Sequence, residues 1–422
     1  MRKLQTIFSL IISLFFILPC ATVALGSDKD EVLADAPDDK VSSLDSLLTV
    51  YYTQRSLANS IDYSDVDSDD MPIADLPDEV YIERLGSIAS PVHLAYNKQI
   101  RNCIIAYTQK HKKKSEEILG LAEYYMPVFE EIFDQYGIPL ELKAMAVIES
   151  ALNPVAVSRV GATGMWQFMY RTGKHYNLNV TSFVDERRDP IASAHAAAKY
   201  LKDLYNLFGD WNLAIAAYNC GEGNVKKAIR RANGKTDYWE IYPYLPRETR
   251  GYVPLFVGAT YMLNYYKEHK LTPVRAQLPI QTDTVMVSKM LHFEQISHNI
   301  GVPVETLREL NPQYRRDIIP GKEKAYVLTL PYNYTTAFID KENEIYSYKD
   351  TVYFNPKVLA APADFSADAP TGKNKIVHKV VKGDTPGGIA QKYKVSLSNL
   401  RSWNNLGSKS VIRIGQKLVI YR

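Results

Sequence analysis

The chain has 422 residues, 46% of them hydrophobic and 23% charged, with a net charge of +3. This composition excludes a wholly disordered polymer, and the length exceeds what one core ordinarily serves, so two or three domains are expected. The near-neutral total hides an asymmetry: residues 27–79 hold fifteen acids against Lys29, Lys40 and Arg55, while residues 376–422 hold nine Lys or Arg against Asp384. A basic end of this kind is attracted to carboxylate-bearing polymers and other polyanions.

In chain order, Arg2 and Lys3, an apolar run at 7–18 and Ala24-Leu25-Gly26 have the arrangement of a secretory signal with its cleavage site. A run of twelve is too short to span a bilayer, and no later stretch is long and apolar enough. Residues 1–26 are therefore expected to be removed, and the remainder to be exported and at most peripheral to a membrane. Pro19 stands where lipid-attachment sites usually need a small residue, which counts against an anchor on Cys20. Residues 27–90 are acidic and Ser-rich and bury too little apolar surface to offset ordering, so a disordered tether is expected.

Residues 91–272 change character. Leu119, Ala122, Tyr125, Met126 and Phe129 recur at helical spacing up to the breaker Gly137-Ile138-Pro139. Further helices are predicted over 140–152, 190–208, 212–219 and 252–269. The run Lys110-His111-Lys112-Lys113-Lys114 reads as a solvated helix junction without a role of its own.

Residues 280–332 and 376–422 are a repeat. Laying Ile296 on Ile389 brings Gly301-Val302, Leu307-Arg308 and Asn311 onto Lys394-Val395, Leu400-Arg401 and Asn404. Each copy offers a strand, two short helices and a strand; in the second copy the strands are predicted at 377–381 and 417–421. Between the copies, 340–375 has the composition of a linker. After signal removal only Cys103 and Cys220 remain. They can pair in an oxidising compartment or stay buried as inert thiols, and their spacing suggests neither a metal site nor a cofactor.

The chemical clue lies in the helix predicted at 140–152. Leu142, Met145, Glu149 and Leu152 share one face, so Glu149 interrupts an apolar stripe. A carboxyl held there loses water, which disfavours its charged form and suits a general acid. A lone Glu in this place ordinarily reaches water at the edge of the stripe. The residues after the helix change that reading: Ser150, Asn153-Pro154, Ser158 and Gly161-Ala162-Thr163-Gly164-Met165-Trp166-Gln167-Phe168-Met169. This run resembles the first two motifs of the lytic murein transglycosylases related to soluble lytic transglycosylase, a lysozyme-like family. Ala217-Tyr218-Asn219-Cys220-Gly221-Glu222-Gly223-Asn224-Val225 resembles the third, and Leu245-Pro246-Arg247-Glu248-Thr249-Arg250-Gly251-Tyr252-Val253-Pro254 the fourth. Four motifs in order are far more specific than any one of them.

The resemblance implies an α+β multidomain chain: a mainly α, lysozyme-like catalytic domain, then one divergent and one typical LysM module of βααβ form. It implies non-hydrolytic cleavage of the β-1,4 bond between N-acetylmuramic acid and N-acetylglucosamine, the muramic C6 hydroxyl closing a 1,6-anhydro ring. Glu149 would protonate the leaving oxygen and then take the C6 hydroxyl proton. Ordinary glycosidases need two carboxyl groups, and one suffices here because the nucleophile belongs to the substrate; Asp185, Glu186, Asp189, Glu222 and Glu248 leave a second acid open on sequence alone. By motif, Ser158 and Gln167 orient the acid and the sugar, Met169 lines the groove, and Tyr218 brings its hydroxyl near the catalytic carboxyl. Glu248 and Tyr252 belong to the same groove. Asn219 reads equally as a sugar contact or, with Gly221 and Gly223, as a helix cap. Most of the 30 Tyr must simply pack. Cys220 departs from the motif, where Ala is usual, but fits the same volume.

The second repeat copy resembles a LysM module, with the turn Gly383-Asp384-Thr385-Pro386 and the loop near Ile412 and Arg413 as the two sides of a glycan groove. In the first copy Met290-Leu291-His292 replaces the Gly-Asp-Thr turn, so a divergent module docked on the catalytic domain is expected, its groove filled. The partner implied is the GlcNAc-MurNAc polymer of peptidoglycan in the periplasm or at the outer membrane, not nucleic acid. Two other readings remain: a hydrolase of the goose-type lysozyme kind, and an inactive wall-binding scaffold.

Overall fold

Residues 63–356, 359, 375–395, 397–404, 406 and 412–421 are described by a computed structural model. The expected signal, Cys20 and residues 27–62 of the expected tether lie outside them. Among the described residues no helix is long and apolar enough to cross a membrane.

The first domain is helical. Its longest helix, Lys112–Tyr136, buries Leu119, Ala122, Tyr125, Met126 and Phe129 as the periodicity requires, and stops at Gly137, whose φ of 61° a side chain would oppose. The helix predicted over 140–152 is shorter than its pattern: a 3₁₀ turn at Leu140–Lys143 leads into Ala144–Ser150, and Ala151 and Leu152 turn left-handed. Asp189 accepts from the backbone N–H groups of Ile191 and Ala192, and with Pro190 starts the helix Pro190–Phe208. Asp210 caps Trp211–Cys220 in the same way.

The helix expected from residue 252 begins earlier and spans Arg247–Tyr265. Polar residues and a Gly in its first turns conceal it, and Pro254 lies inside it. Pro254 has no N–H for the carbonyl of Arg250, four residues back. The Tyr238 hydroxyl supplies that donor at 2.8 Å.

The acidic tether ends sooner than its composition suggests. Tyr63–Val66 and Asp78–Ser87 are helical, and Val66, Tyr81 and Leu85 are buried in the core of the helical domain. The composition argument fails because this segment needs no core of its own. Its acids also find partners: Asp65 pairs with Lys110 and His111, Asp69 with Lys98, and Asp78 with Arg101. Lys110 and His111 of the basic run thus hold a buried carboxylate.

The two repeat copies come next, each with its own apolar core. In the first, β1 (Thr282–Val287) pairs antiparallel with β4 (Tyr326–Pro331), with Thr284 opposite Thr329, around the helices Phe293–Ile300 and Val304–Leu310. In the second, β5 (Lys375–Lys379) pairs with β6 (Lys417–Tyr421) around Pro386–Lys392 and Leu397–Trp403. The repeat is physical. Asn311 donates to the carbonyls of Leu307 and Thr329 and accepts from Thr329 N–H; Asn404 does the same with Leu400 and Val419. Each Asn thus ties the second helix of its copy to the last strand. Within the linker expected at 340–375, Glu342–Ser347 and Asp350–Tyr353 are helices that complete the first copy, and residues 357–358 and 360–374 lie outside the described residues. Ile345 is buried in its core, and Gln295 donates to the carbonyls of Tyr346 and Tyr348.

Candidate active site

Every residue of Ala144–Ser150 is buried, and Glu149 sits in its last turn with 5% of its surface exposed. Burial of this degree works against a charged carboxylate. The Tyr252 hydroxyl donates to Glu149 Oε1 across 103 residues of sequence. Tyr252 is 1% exposed and Glu248, one turn earlier on Arg247–Tyr265, is also buried. A hydrogen bond donated to a carboxylate favours its charged form, and the bond from Tyr252 fixes the orientation of the buried Glu149 carboxyl.

The turn at 156–169 is joined to this helix by Ser150, whose Oγ donates to the Met165 carbonyl at 3.0 Å. Ser158 accepts the Ala162 N–H at 2.9 Å, and Thr163 pairs with Phe168 across a β-bridge. Gln167 has a φ of 48° and donates from Nε2 to the Gly164 and Ala156 carbonyls. The polar ends of Ser158 and Gln167 therefore shape the turn. Met169 is 38% exposed, while Trp166 packs inward on Phe129 and Phe133. Gly164 is required: a Cβ there would lie 1.7 Å from the Arg187 carbonyl oxygen.

Tyr218 donates to the Trp166 carbonyl at 2.8 Å and packs on Phe168 and Tyr200. Tyr252, for which the motif gave no specific role, also brings its hydroxyl to the Glu149 carboxyl. Asn219 accepts from the Thr249 hydroxyl at 2.9 Å, joining Trp211–Cys220 to Arg247–Tyr265, and Asn224 caps the Cys220 carbonyl. Cys103 and Cys220 are free thiols; burial pushes Cys220 up to about 11.

Three of the other candidate acids, Asp185, Glu186 and Asp189, are engaged. Asp189 caps its helix, and Glu186 accepts from the Asn179 N–H. Asp185 is fully buried; burial opposes its charge, but Arg187 and Arg315 outweigh that and hold it well below the usual carboxylate range. Sequence reasoning missed this pair of guanidinium groups. Its only signal was the charged run Asp185-Glu186-Arg187-Arg188-Asp189, which ordinarily marks a solvated turn.

In the second copy, Asp384 accepts the Val381 N–H and faces His378, Thr385 caps the helix that starts at Pro386, and Gly383 has a φ of 95°. Ile412 packs on the module's core and the Arg413 N–H donates to Gln416. Backbone hydrogen bonds between Val380 and Gly415–Gln416 hold the two sides together. In the first copy the aligned residues are β2 (Met290–His292), which pairs with β3 (Ile318–Pro320).

Residues 127–241, which hold Glu149 and the turn after it, match the model of the transglycosylase SLT domain. The helical domain belongs to that family. Residues 281–347 match the LysM-like domain of lytic transglycosylase MltD, and residues 378–420 match the LysM domain. Membrane-bound lytic murein transglycosylase D of Escherichia coli (strain K12) is 31% identical over 316 residues, 74% of this chain and 66% of that protein. Soluble lytic murein transglycosylase of the same strain is 30% identical over 167 residues, 37% of this chain and 26% of that protein. Among solved structures, the 70 kDa soluble lytic transglycosylase of E. coli matches at 20% identity with a TM-score of 0.30, covering 56% of this chain and 45% of that one.

Proposed function

We propose that this SLT and LysM chain is an exported peptidoglycan lytic transglycosylase of the cell envelope, with Glu149 as its acid and base. The observation that carries the reading is the Glu149 carboxyl, buried at the end of its helix and oriented by Tyr252, inside the SLT domain. Glu149 in its neutral form gives its proton to the oxygen leaving the muramic C1. The resulting carboxylate takes the proton of the muramic C6 hydroxyl as that oxygen bonds to C1. The ring closes, no water enters, and Glu149 returns to its starting state.

Met169 lines the glycan groove, and Ser158, Gln167, Tyr218 and Asn219 hold its walls in register. Glu248 belongs to the same groove beside Tyr252. The second LysM module holds N-acetylglucosamine chains between Gly383-Asp384-Thr385-Pro386 and Ile412-Arg413, keeping the enzyme on the wall. The first module does not bind glycan, in keeping with the β2–β3 pairing of the residues that align with the groove.

Mass spectrometry of digested peptidoglycan tests this. The expected products end in 1,6-anhydro-N-acetylmuramic acid, one water lighter than reducing ends. Reducing ends alone would make the enzyme a hydrolase, and an undigested wall would make it a scaffold.

A further inference from the structure

The first LysM-like module meets the helical domain at a buried charge cluster, beside which Val184 of the helical domain is buried in the module's apolar core. Asp185 of the helical domain lies at its centre, fully buried, with Arg187 and Arg315 nearly so. Arg187 grips both carboxylate oxygens, Nε at 2.8 Å and Nη2 at 2.7 Å, in the bidentate geometry that only a guanidinium offers. Arg315, 130 residues away in the module, donates to Oδ2 at 2.7 Å.

The remaining nitrogen of Arg187 carries the connection onward. Nη1 donates to the carbonyls of Gly161 and Phe168, at 3.1 and 3.2 Å. Those carbonyls bracket the turn that contains Gln167, and the Arg187 backbone lies against Gly164. The backbones also meet: Asp185 N–H donates to Gln313 O, Arg315 N–H to Phe183 O, and Val184 bridges to Tyr314. Three hydrogen-bonded steps thus run from the module to the turn: Arg315 to Asp185, Asp185 to Arg187, and Arg187 to the carbonyls of Gly161 and Phe168.

We propose that the first LysM-like module is part of the catalytic apparatus, with Arg315 a positioning residue that holds the Gly161–Phe168 turn in its working shape through Asp185 and Arg187. The proposal rests on the transglycosylase reading for its kinetic consequence only. Asp185 is held by two hydrogen-bonded guanidinium groups with the charge of Arg188 beside them, and removing Arg315 takes away part of what offsets its burial cost. Arg187 then moves with Asp185, and the turn loosens while Glu149 and Tyr252 stay in place. Small displacements of substrate-positioning groups are costly in rate.

The test uses the full chain with Arg315→Met, Arg315→Gln and Arg315→Lys. Kinetics are measured on soluble glycan strands, so that wall attachment does not matter, and are normalised to the folded fraction by circular dichroism. The neutral variants are expected to lose about tenfold or more in kcat, and hydrogen exchange is expected to quicken at Thr163 and Phe168 but not along Pro190–Phe208. Arg315→Lys should recover most of both, since an ammonium group can take the place of the guanidinium on Asp185 Oδ2. A folded neutral variant with wild-type kcat and wild-type exchange at the turn would overturn the proposal.

Should neither neutral variant fold, exchange in the wild-type protein decides. The amides of Phe168, Asp185 and Arg315 must open together with one dependence on denaturant, and separate openings would overturn the coupling. That measurement needs no substrate. A failure of the transglycosylase reading shows instead in the products of the wild-type enzyme.

Discussion

Tyr252→Phe isolates the contact that defines the site. The ring is 1% exposed and its packing survives the change, so the variant removes one oxygen and the hydrogen bond it donates to Glu149. A hydrogen bond to a charged group contributes about 1.5–3 kcal/mol. At about 1.4 kcal/mol per factor of ten, the loss corresponds to roughly 10- to 100-fold in kcat wherever the carboxylate must act as base. The sign of the pH effect is set by the same bond. It favours the charged form, so without it the neutral form persists to higher pH, and the rate profile should move in that direction. Anhydro ends released from purified glycan strands between pH 4 and 8 give both quantities. A kcat within twofold of wild type and an unmoved profile would refute the claim that Tyr252 orients and tunes Glu149.

Two further expectations concern the scaffold. Tyr238→Phe leaves the Arg250 carbonyl without the donor that stands in for Pro254, and should cost about 1–3 kcal/mol in urea unfolding; Pro254→Ala restores an N–H, so the double variant should recover much of the loss, and simple additivity would contradict the account. Asn404→Ala removes the clamp between the second helix and β6 of the terminal module, and should abolish pull-down on intact wall while turnover on short soluble strands continues. Loss of both together would show that the module serves catalysis directly.

Much of the site was legible because its residues sit close together in sequence. Glu149 stands out on an apolar face, and the Gly-rich turn after it needs Gly164 for close approach to Arg187. The module repeat was equally legible, since Asn311 and Asn404 make the same bonds at aligned positions. Long-range partners were not. Nothing local marks Tyr252 among 30 tyrosines as reaching Glu149, and Arg315 is separated from Asp185 by 130 residues. Composition misled twice, at 63–90 and at 340–353, for one reason. Val66, Tyr81, Leu85 and Ile345 are too few to build a core but suffice to complete a neighbour's.

The most direct measurement compares Glu149→Gln with the wild-type enzyme by mass spectrometry of digested peptidoglycan. The amide keeps the shape of the side chain and cannot exchange a proton with the glycosidic oxygen. Folding and wall binding should be unchanged, and release of anhydro-ended products should fall by about 10²- to 10⁴-fold. Near-normal release from a folded Glu149→Gln protein would contradict the assignment of Glu149 as acid and base.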